Sequence, residues 1–324
     1  MTVSRPQHDP ELAAALDKFL AAMPAGTMNH ETAVAMRDPA GMPVPELGEE
    51  ELAAAGIVRE DVTVPGYDGA ELPATVLYRA DHTAAGPGIY HVHGGGMVTG
   101  HRLSGVSQCL GWVVEHDAVL VTVDYRLAPE FPDPYPVEDA YAGLVWTAGN
   151  ADRYGIDPGQ VVIVGASAGG GIAAGTALLA RDRRGPALAG QVLVCPMIDD
   201  RNTTTSSLQF TDDTLWTRDS NIYGWTSLLG ERVGTDDVSV YAAPARATDL
   251  AGLPPTYIDC GSAEVFRDED VAYASALWAA GVDAELHVWA GGFHGFDMVV
   301  EHAQVSRAAV AARNSWVARH IGDR

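Results

Sequence analysis

The chain is almost without lysine: Lys18 is the one lysine among 324 residues, and it lies in a helical-looking N-terminal stretch far from any glycine motif. That scarcity excludes several chemistries at once. A P-loop needs a lysine behind its glycines, pyridoxal phosphate needs one for its Schiff base, and Ser/Lys hydrolases need SxxK. Cysteine is scarce too. Cys109, Cys195 and Cys260 are odd in number, show no CxxC spacing and sit among apolar or small residues, so buried free thiols are expected, with no disulfide and no zinc knuckle. Long apolar runs are missing: the opening MTVSRPQHDPELAAALDKFL carries charges throughout, and no later stretch reaches bilayer-spanning length, which predicts a soluble, cytoplasmic protein. Positive charge is short as well, with 20 lysines and arginines against 43 acids and a formal net charge of -23. Such a chain repels phosphate backbones and anionic lipid. Neither nucleic acid nor a membrane is therefore an expected partner, and a small neutral substrate fits better.

What is present suffices for a large core. With 47 % hydrophobic residues over this length, one α/β catalytic domain with flanking or inserted segments is expected. The first fifty residues combine helical periodicity in ELAAALDKFLAAM with the proline-punctuated DPAGMPVPELGEEELAAAG, a loop and short helix that read as a lid. From residue 51 onward the pattern becomes that of the catalytic domain, 51–324. Short apolar strands (VREDVTVPG, LPATVLYR, GIYHVHGG, AVLVTVDY, QVVIVGAS, QVLVCPM, PTYIDCG, AELHVWAG) alternate in their later part with helical stretches such as PVEDAYAGLVWTAGN, GIAAGTALLARDRR and DEDVAYASALWAAG. Strands alternating with helices imply a mainly parallel sheet covered on both faces. Residues 201–230, RNTTTSSLQFTDDTLWTRDSNIYGWTSLLG, interrupt the alternation and read as a second piece of the lid.

Within VVIVGASAGGGIAAG, small residues crowd around Ser167, and three readings compete. Gly169, Gly171 and Ala174 fit GxGxxA after a strand, but a dinucleotide site needs an acid at the end of the next strand, and QVLVCP offers none before Asp199. The glycines could serve only close packing of helix on strand. Gly165, Ala166, Ser167, Ala168 and Gly169 also satisfy GxSxG between strand and helix. There a serine sits on a strained turn with its hydroxyl above the sheet, and larger neighbours would collide across the bend.

A serine hydroxyl becomes a nucleophile only beside a base and oxyanion donors, so the rest of the chain can be searched for both. HVHGGGMVTG, His91 to Gly100, follows the strand GIY. Gly95 and Gly96 are the expected loop donors, Gly94 shapes the turn, and the N–H of Ala168 approaches from the other side. His91 and His93 have the HxH spacing of a metal pair, but no carboxylate follows closely and the glycine run would have no use. His294, in AGGFHGF after the strand ELHVWA, fits a base on an exposed loop, whereas His287 lies inside that strand and His302 and His320 on helical sequence. The acid belongs after PTYIDCG, where GSAEVFRDED offers Glu264, Asp268, Glu269 and Asp270, any of which could instead be a helix N-terminal charge.

HGGG at His93 to Gly96, DYRLAPE at Asp124 to Glu130, GASAGG at Gly165 to Gly170, LPP at Leu253 to Pro255 and HGF at His294 to Phe296 occur in one order. Taken together they resemble the hormone-sensitive-lipase-like branch of the α/β hydrolases, the bacterial family IV esterases, over about the whole chain after residue 50. The resemblance implies an α/β-hydrolase fold with a helical lid. It makes Ser167 the nucleophile, His294 the base and Glu264 the acid, and it implies hydrolysis of short-chain carboxylic esters without metal or cofactor. In that family DYRLAPE braces the oxyanion loop, which makes Asp124, Arg126 and Glu130 supporting residues here, alongside His93 and Gly94 of the HGGG loop itself. Two departures stand out: the elbow more often reads GDSAGG, with Ala166 here in place of the aspartate, and the acid is more often aspartate followed by proline and leucine. Lactonase, amidase or thioesterase activity on the same triad stays open, as does a non-catalytic small-molecule binding protein like the plant gibberellin receptors, although those lose the base that this chain keeps. A homodimer is likewise left open.

Overall fold

The structure, a computed structural model, describes residues 4–22, 28–37 and 48–321, so most of the proline-punctuated stretch lies outside the described residues. Among the described residues eight strands form one sheet, and each coincides with an apolar run expected from the sequence. They are β1 (Ile57–Pro65), β2 (Glu71–Arg79), β3 (Gly86–Val92), β4 (Val119–Val123), β5 (Ile156–Ala166), β6 (Gly190–Val194), β7 (Thr256–Gly261) and β8 (Ala284–Trp289). Their spatial order is β1-β2-β4-β3-β5-β6-β7-β8. β2 runs antiparallel to both β1 and β4, and all the remaining pairings are parallel.

Central strands are aliphatic because both of their faces are covered. Alternate side chains serve alternate layers, as β5 shows. Ile163 packs with Leu144, Ile172 and Leu277 from the helices Tyr135–Gly149, Ala168–Asp182 and Arg267–Ala279, while Val162 and Val164 pack on the opposite face with Trp112, Trp316 and Val317. The outer strands β1 and β8 are only partly buried and carry the charged residues such a position tolerates. Among the described residues no helix is long and apolar enough to cross a membrane.

Parallel pairing puts the C-terminal ends of β3, β5, β6, β7 and β8 on one edge. The loops carrying His93 to Gly100, Ser167, Cys195, Glu264 and His294 therefore converge there. The N-terminal segment reaches the same edge. In its helix Pro10–Ala22, Leu12 and Leu16 recur at i, i+4 and bury themselves against Phe293, Phe296 and Val300 beside the His294 loop. Asp9 N–H donates to the Gly291 carbonyl at 3.0 Å. Residues 201–230 form two helices, Thr205–Gln209 and Arg218–Leu229, each opened by a threonine that caps it. This segment meets the N-terminal one: Arg5 pairs with Asp212 at 2.8 Å, and Met28 N–H donates to Ser220 Oγ at 3.1 Å.

Candidate active site

Ser167 stands between the last residue of β5 and the first turn of a helix, with φ 58° and ψ -124°. A left-handed φ at a non-glycine residue costs of order 1–3 kcal/mol and persists only where the surroundings enforce it. Here they do. Its N–H donates to the Val194 carbonyl at 2.8 Å, and its own carbonyl accepts from Met197 N–H at 2.9 Å and Gly171 N–H at 3.1 Å. The tight bend also explains the surrounding glycines: a Cβ on Gly169 would come within 2.2 Å of the Val92 carbonyl oxygen and 2.5 Å of that of His93. With glycine there, the helix sits directly on the end of β3.

Three side chains form one hydrogen-bonded line. His294 Nε2 lies 2.9 Å from Ser167 Oγ, and His294 Nδ1 lies 2.7 Å from Glu264 Oε2. The second carboxylate oxygen of Glu264 accepts the N–H of Gly261 at 2.6 Å, so the acid is anchored at both oxygens. Exposure falls along the line, from 8 % at Ser167 to 5 % at His294 and 0 % at Glu264. Phe266 presents an edge to the His294 ring at 5.1 Å, and Trp216 stands 6.4 Å from it. Of the acids that the sequence left open, Glu264 alone is bonded to the histidine. Asp268 accepts from Ser206 N–H at 2.8 Å and pairs with Arg267 at 2.8 Å, holding the 201–230 segment. Glu269 accepts from Ile198 N–H and Asp199 N–H, which pins the loop after β6.

Asp270 is fully buried, and neither of its oxygens meets a nitrogen or oxygen donor; the Cys260 thiol lies beside it. Burial, then the neighbouring Glu269 and Glu264, raise its carboxyl well above the ordinary range. Below the unfolded value both states carry the proton. Above it the unfolded chain releases the proton first, so stability is lost as pH rises, at up to roughly 1.4 kcal/mol per pH unit. Asp270→Asn removes this dependence. Its thermal midpoint relative to the parent is expected to climb as pH rises above the ordinary carboxylate range, and a pH-independent difference would contradict this account.

The HGGG loop faces the serine elbow. Gly95 and Gly96 have φ of 113° and 62°, and a Cβ on Gly96 would come within 2.4 Å of the Trp216 ring. Among the described residues the N–H groups of Gly95, Gly96 and Ala168 donate to no protein acceptor. Gly94 packs against Ala166 and Ser167, where a Cβ would sit 2.9 Å from the Ala166 carbonyl oxygen. His93 braces the loop: its Nδ1 lies 2.8 Å from the Gly94 carbonyl, its ring stacks on Tyr125 at 4.1 Å, and Tyr125 donates its hydroxyl to the His93 carbonyl at 2.9 Å. Burial lowers its pKa to about 4 and that of His91 to about 3, which keeps both neutral near neutral pH. His91 has a separate partner, its Nδ1 lying 3.1 Å from Thr122 Oγ1.

The DYRLAPE residues divide their work. Asp124 accepts the N–H and a guanidinium N–H of Arg102, each at 2.5 Å, just beyond the HGGG turn. Arg126 does not touch the oxyanion loop: it forms a two-pronged pair with the buried Asp139 at 2.8 Å and donates to the Tyr67 carbonyl, fastening the turn to the helix Tyr135–Gly149. Glu130 pairs with Arg37, which also donates to the Val98 carbonyl at 2.8 Å and the Ala128 carbonyl at 2.7 Å. Arg37 thus ties the N-terminal segment to the oxyanion loop, a role that no motif announces. Arg313 is also absent from the motifs, yet it holds Asp297, three residues after His294, at 2.8 Å, and Asp259 of β7 at 3.0 Å. Ala309, Arg313, Trp316 and Val317 share one helix face and are all buried, a spacing that marks Arg313 as an inward-facing arginine. Of the aromatics in 201–230, Trp216 lies against Gly96, whereas Trp225 is wholly in the core. His320 stacks on Trp316 at 3.8 Å.

A family model described as alpha/beta hydrolase fold matches residues 89–298. The carboxylesterase NlhH of Mycobacterium tuberculosis is 33 % identical over 98 % of this chain and 96 % of its own. Esterase LipI of the same organism is 36 % identical over 71 % of each chain. A solved bacterial heroin esterase superposes with a TM-score of 0.86 at 36 % identity, covering 97 % of this chain and 98 % of that one. Sequence motifs, strand order and these relatives agree, and the chain belongs to the α/β-hydrolase fold family as a carboxylic ester hydrolase of the hormone-sensitive-lipase-like branch.

Proposed function

We propose that the protein hydrolyses short-chain, neutral carboxylic esters by acyl transfer through Ser167, His294 and Glu264. Ser167 Oγ attacks the ester carbonyl while His294 Nε2 takes its proton, and Glu264 holds and stabilises the imidazolium through Nδ1. The carbonyl oxygen becomes an oxyanion that receives hydrogen bonds from the N–H groups of Gly95, Gly96 and Ala168. His294 returns the proton to the departing alkoxide. Water then attacks the acyl carbon while giving a proton to the same nitrogen, and as the C–Oγ bond breaks His294 returns that proton to Ser167 Oγ and the acid leaves. The observation that carries this reading is the unbroken line from Ser167 Oγ to His294 at 2.9 Å and on to Glu264 at 2.7 Å. The segments 1–50 and 201–230 act together as the lid, and Trp216 forms part of the substrate wall.

A panel of short p-nitrophenyl esters, run beside amide, lactone and thioester substrates, tests the assignment. Turnover of the activated esters is expected. If folded protein hydrolyses none of them, the reaction is wrong and a small-molecule binding protein is the better reading. A second test addresses the oxyanion loop: Gly96→Ala keeps the backbone N–H but its methyl pushes the loop away from Trp216, and displacing the donor is expected to lower kcat about 10^2-fold. Since the added methyl would strike Trp216, the double variant with Trp216→Ala should recover part of that loss, and an unchanged kcat in Gly96→Ala would remove Gly96 from the oxyanion hole.

A further inference from the structure

We propose that Cys195, Glu264 and His294 form an inhibitory site for a soft divalent cation such as Zn2+ or Cd2+, which captures the Nδ1 edge of the histidine from behind. The reaction gives Cys195 no task. Yet its sulfur, a Glu264 oxygen and a His294 ring nitrogen all lie within 4.8 Å of one another, the one such ligand group among the described residues. Thiolate, imidazole and carboxylate together suit Zn2+ or Cd2+, which accept four tetrahedral ligands, and not Mg2+ or Ca2+, which take oxygen ligands.

Backbone geometry holds Cys195 in place. It has φ 38°, and its N–H donates to the Asp259 carbonyl at 2.6 Å. A void of about 10 Å³ adjoins two of the three ligands, Cys195 and Glu264, together with Asp259, Asp297 and Arg313, and is about the size of one water. The electrostatics favour a cation there. Arg313 already serves both Asp259 and Asp297, so one guanidinium stands against those two carboxylates and Glu264. A dication in the same field is attracted.

The balance is simple. The cation binds the sulfur, a Glu264 oxygen and His294 Nδ1, and the thiol proton leaves to solvent. An imidazole that gives its Nδ1 lone pair to a metal carries its single proton on Nε2. No lone pair then faces Ser167 Oγ, and the base is disabled. Binding of the cation does not depend on the proposed ester chemistry, whereas inhibition rests on it.

The experiment titrates Cd2+ into purified full-length protein, following the ultraviolet cadmium–thiolate charge-transfer absorption, and in parallel follows inhibition of p-nitrophenyl ester turnover by Zn2+ with reversal by EDTA. The absorption should appear in the parent and in Ser167→Ala, persist in Cys109→Ala and vanish in Cys195→Ala and Cys195→Ser. Relative to each variant's own metal-free rate, the half-inhibiting Zn2+ concentration should rise at least about 100-fold in the Cys195 variants, beyond the roughly 10–100-fold that outer partners of a metal site contribute. Two Cys195 variants of different size, checked by thermal melting, separate a lost ligand from a lost fold. An absorption that survives in either folded Cys195 variant, unchanged sensitivity to Zn2+, or no absorption in the parent overturns the site. Absorption without any ester turnover would instead retain the metal site and reject the proposed reaction.

Discussion

Ser167→Ala is expected to lower kcat by about 10^4-fold or more while the thermal midpoint stays close to that of the parent. The size of the loss follows from the line of hydrogen bonds: without Oγ there is no nucleophile, and His294, with Nε2 2.9 Å from the missing atom, has no proton to take. The fold should be spared for a separate reason. The elbow is held by backbone contacts from Val194, Met197 and Gly171, all of which alanine keeps, and alanine has the same Cβ that already fits against Gly94. Strain at φ 58° is also the same for either residue. A fluorophosphonate label provides the check, because peptide mapping must find the adduct on Ser167. An adduct on another serine, or a Ser167→Ala protein with parental turnover, would refute the assignment.

Glu264→Gln is the second large effect, with kcat expected to fall by about 10^2 to 10^4-fold and KM to change little. The carboxylate offers two acceptor oxygens to two donors, the Gly261 N–H at 2.6 Å and His294 Nδ1 at 2.7 Å. Glutamine has one acceptor oxygen and one NH2 group. If its oxygen keeps Gly261, its NH2 faces Nδ1 and drives the ring to the tautomer with the proton on Nε2, which cannot accept from Ser167. If its oxygen keeps His294, the buried Gly261 N–H loses its acceptor, and the neutral amide no longer stabilises the imidazolium. Either way the transition state suffers more than substrate binding. Asp268→Asn should change kcat less than about tenfold, because Asp268 is committed to Ser206 and Arg267 in holding the 201–230 segment. Steady-state kinetics and melting curves for both variants decide the matter. An inactive Asp268→Asn beside a normal Glu264→Gln would mean that the acid lies elsewhere.

By itself the sequence determined the features that physical chemistry writes locally. A run such as QVVIVGAS states that its strand is buried on both faces, GASAGG states that a bend there tolerates only small residues, and HGGG states that backbone N–H groups must come close to something. All eight strands and the positions of Ser167, Glu264 and His294 at strand exits were readable on those grounds. The acid was the weak point, since four carboxylates occur in GSAEVFRDED and each satisfies a local rule. Only the tertiary structure separated them, because what distinguishes them is the partner each one meets. Glu264 meets His294, 30 residues away; Asp268 meets Ser206; Glu269 meets the loop after β6; and Asp270 meets no nitrogen or oxygen donor. Strand order was equally hidden. The placement of β3 between β4 and β5 brings the HGGG loop to the serine elbow, and parallel pairing carries His294 to Ser167 across 127 residues of chain. Arg37, Trp216 and Arg313 acquire their roles in the same way, through contacts made only after distant segments have packed. Periodicity and turn chemistry act within a few residues, whereas pairing between elements is settled by the burial and hydrogen bonding of the whole sheet.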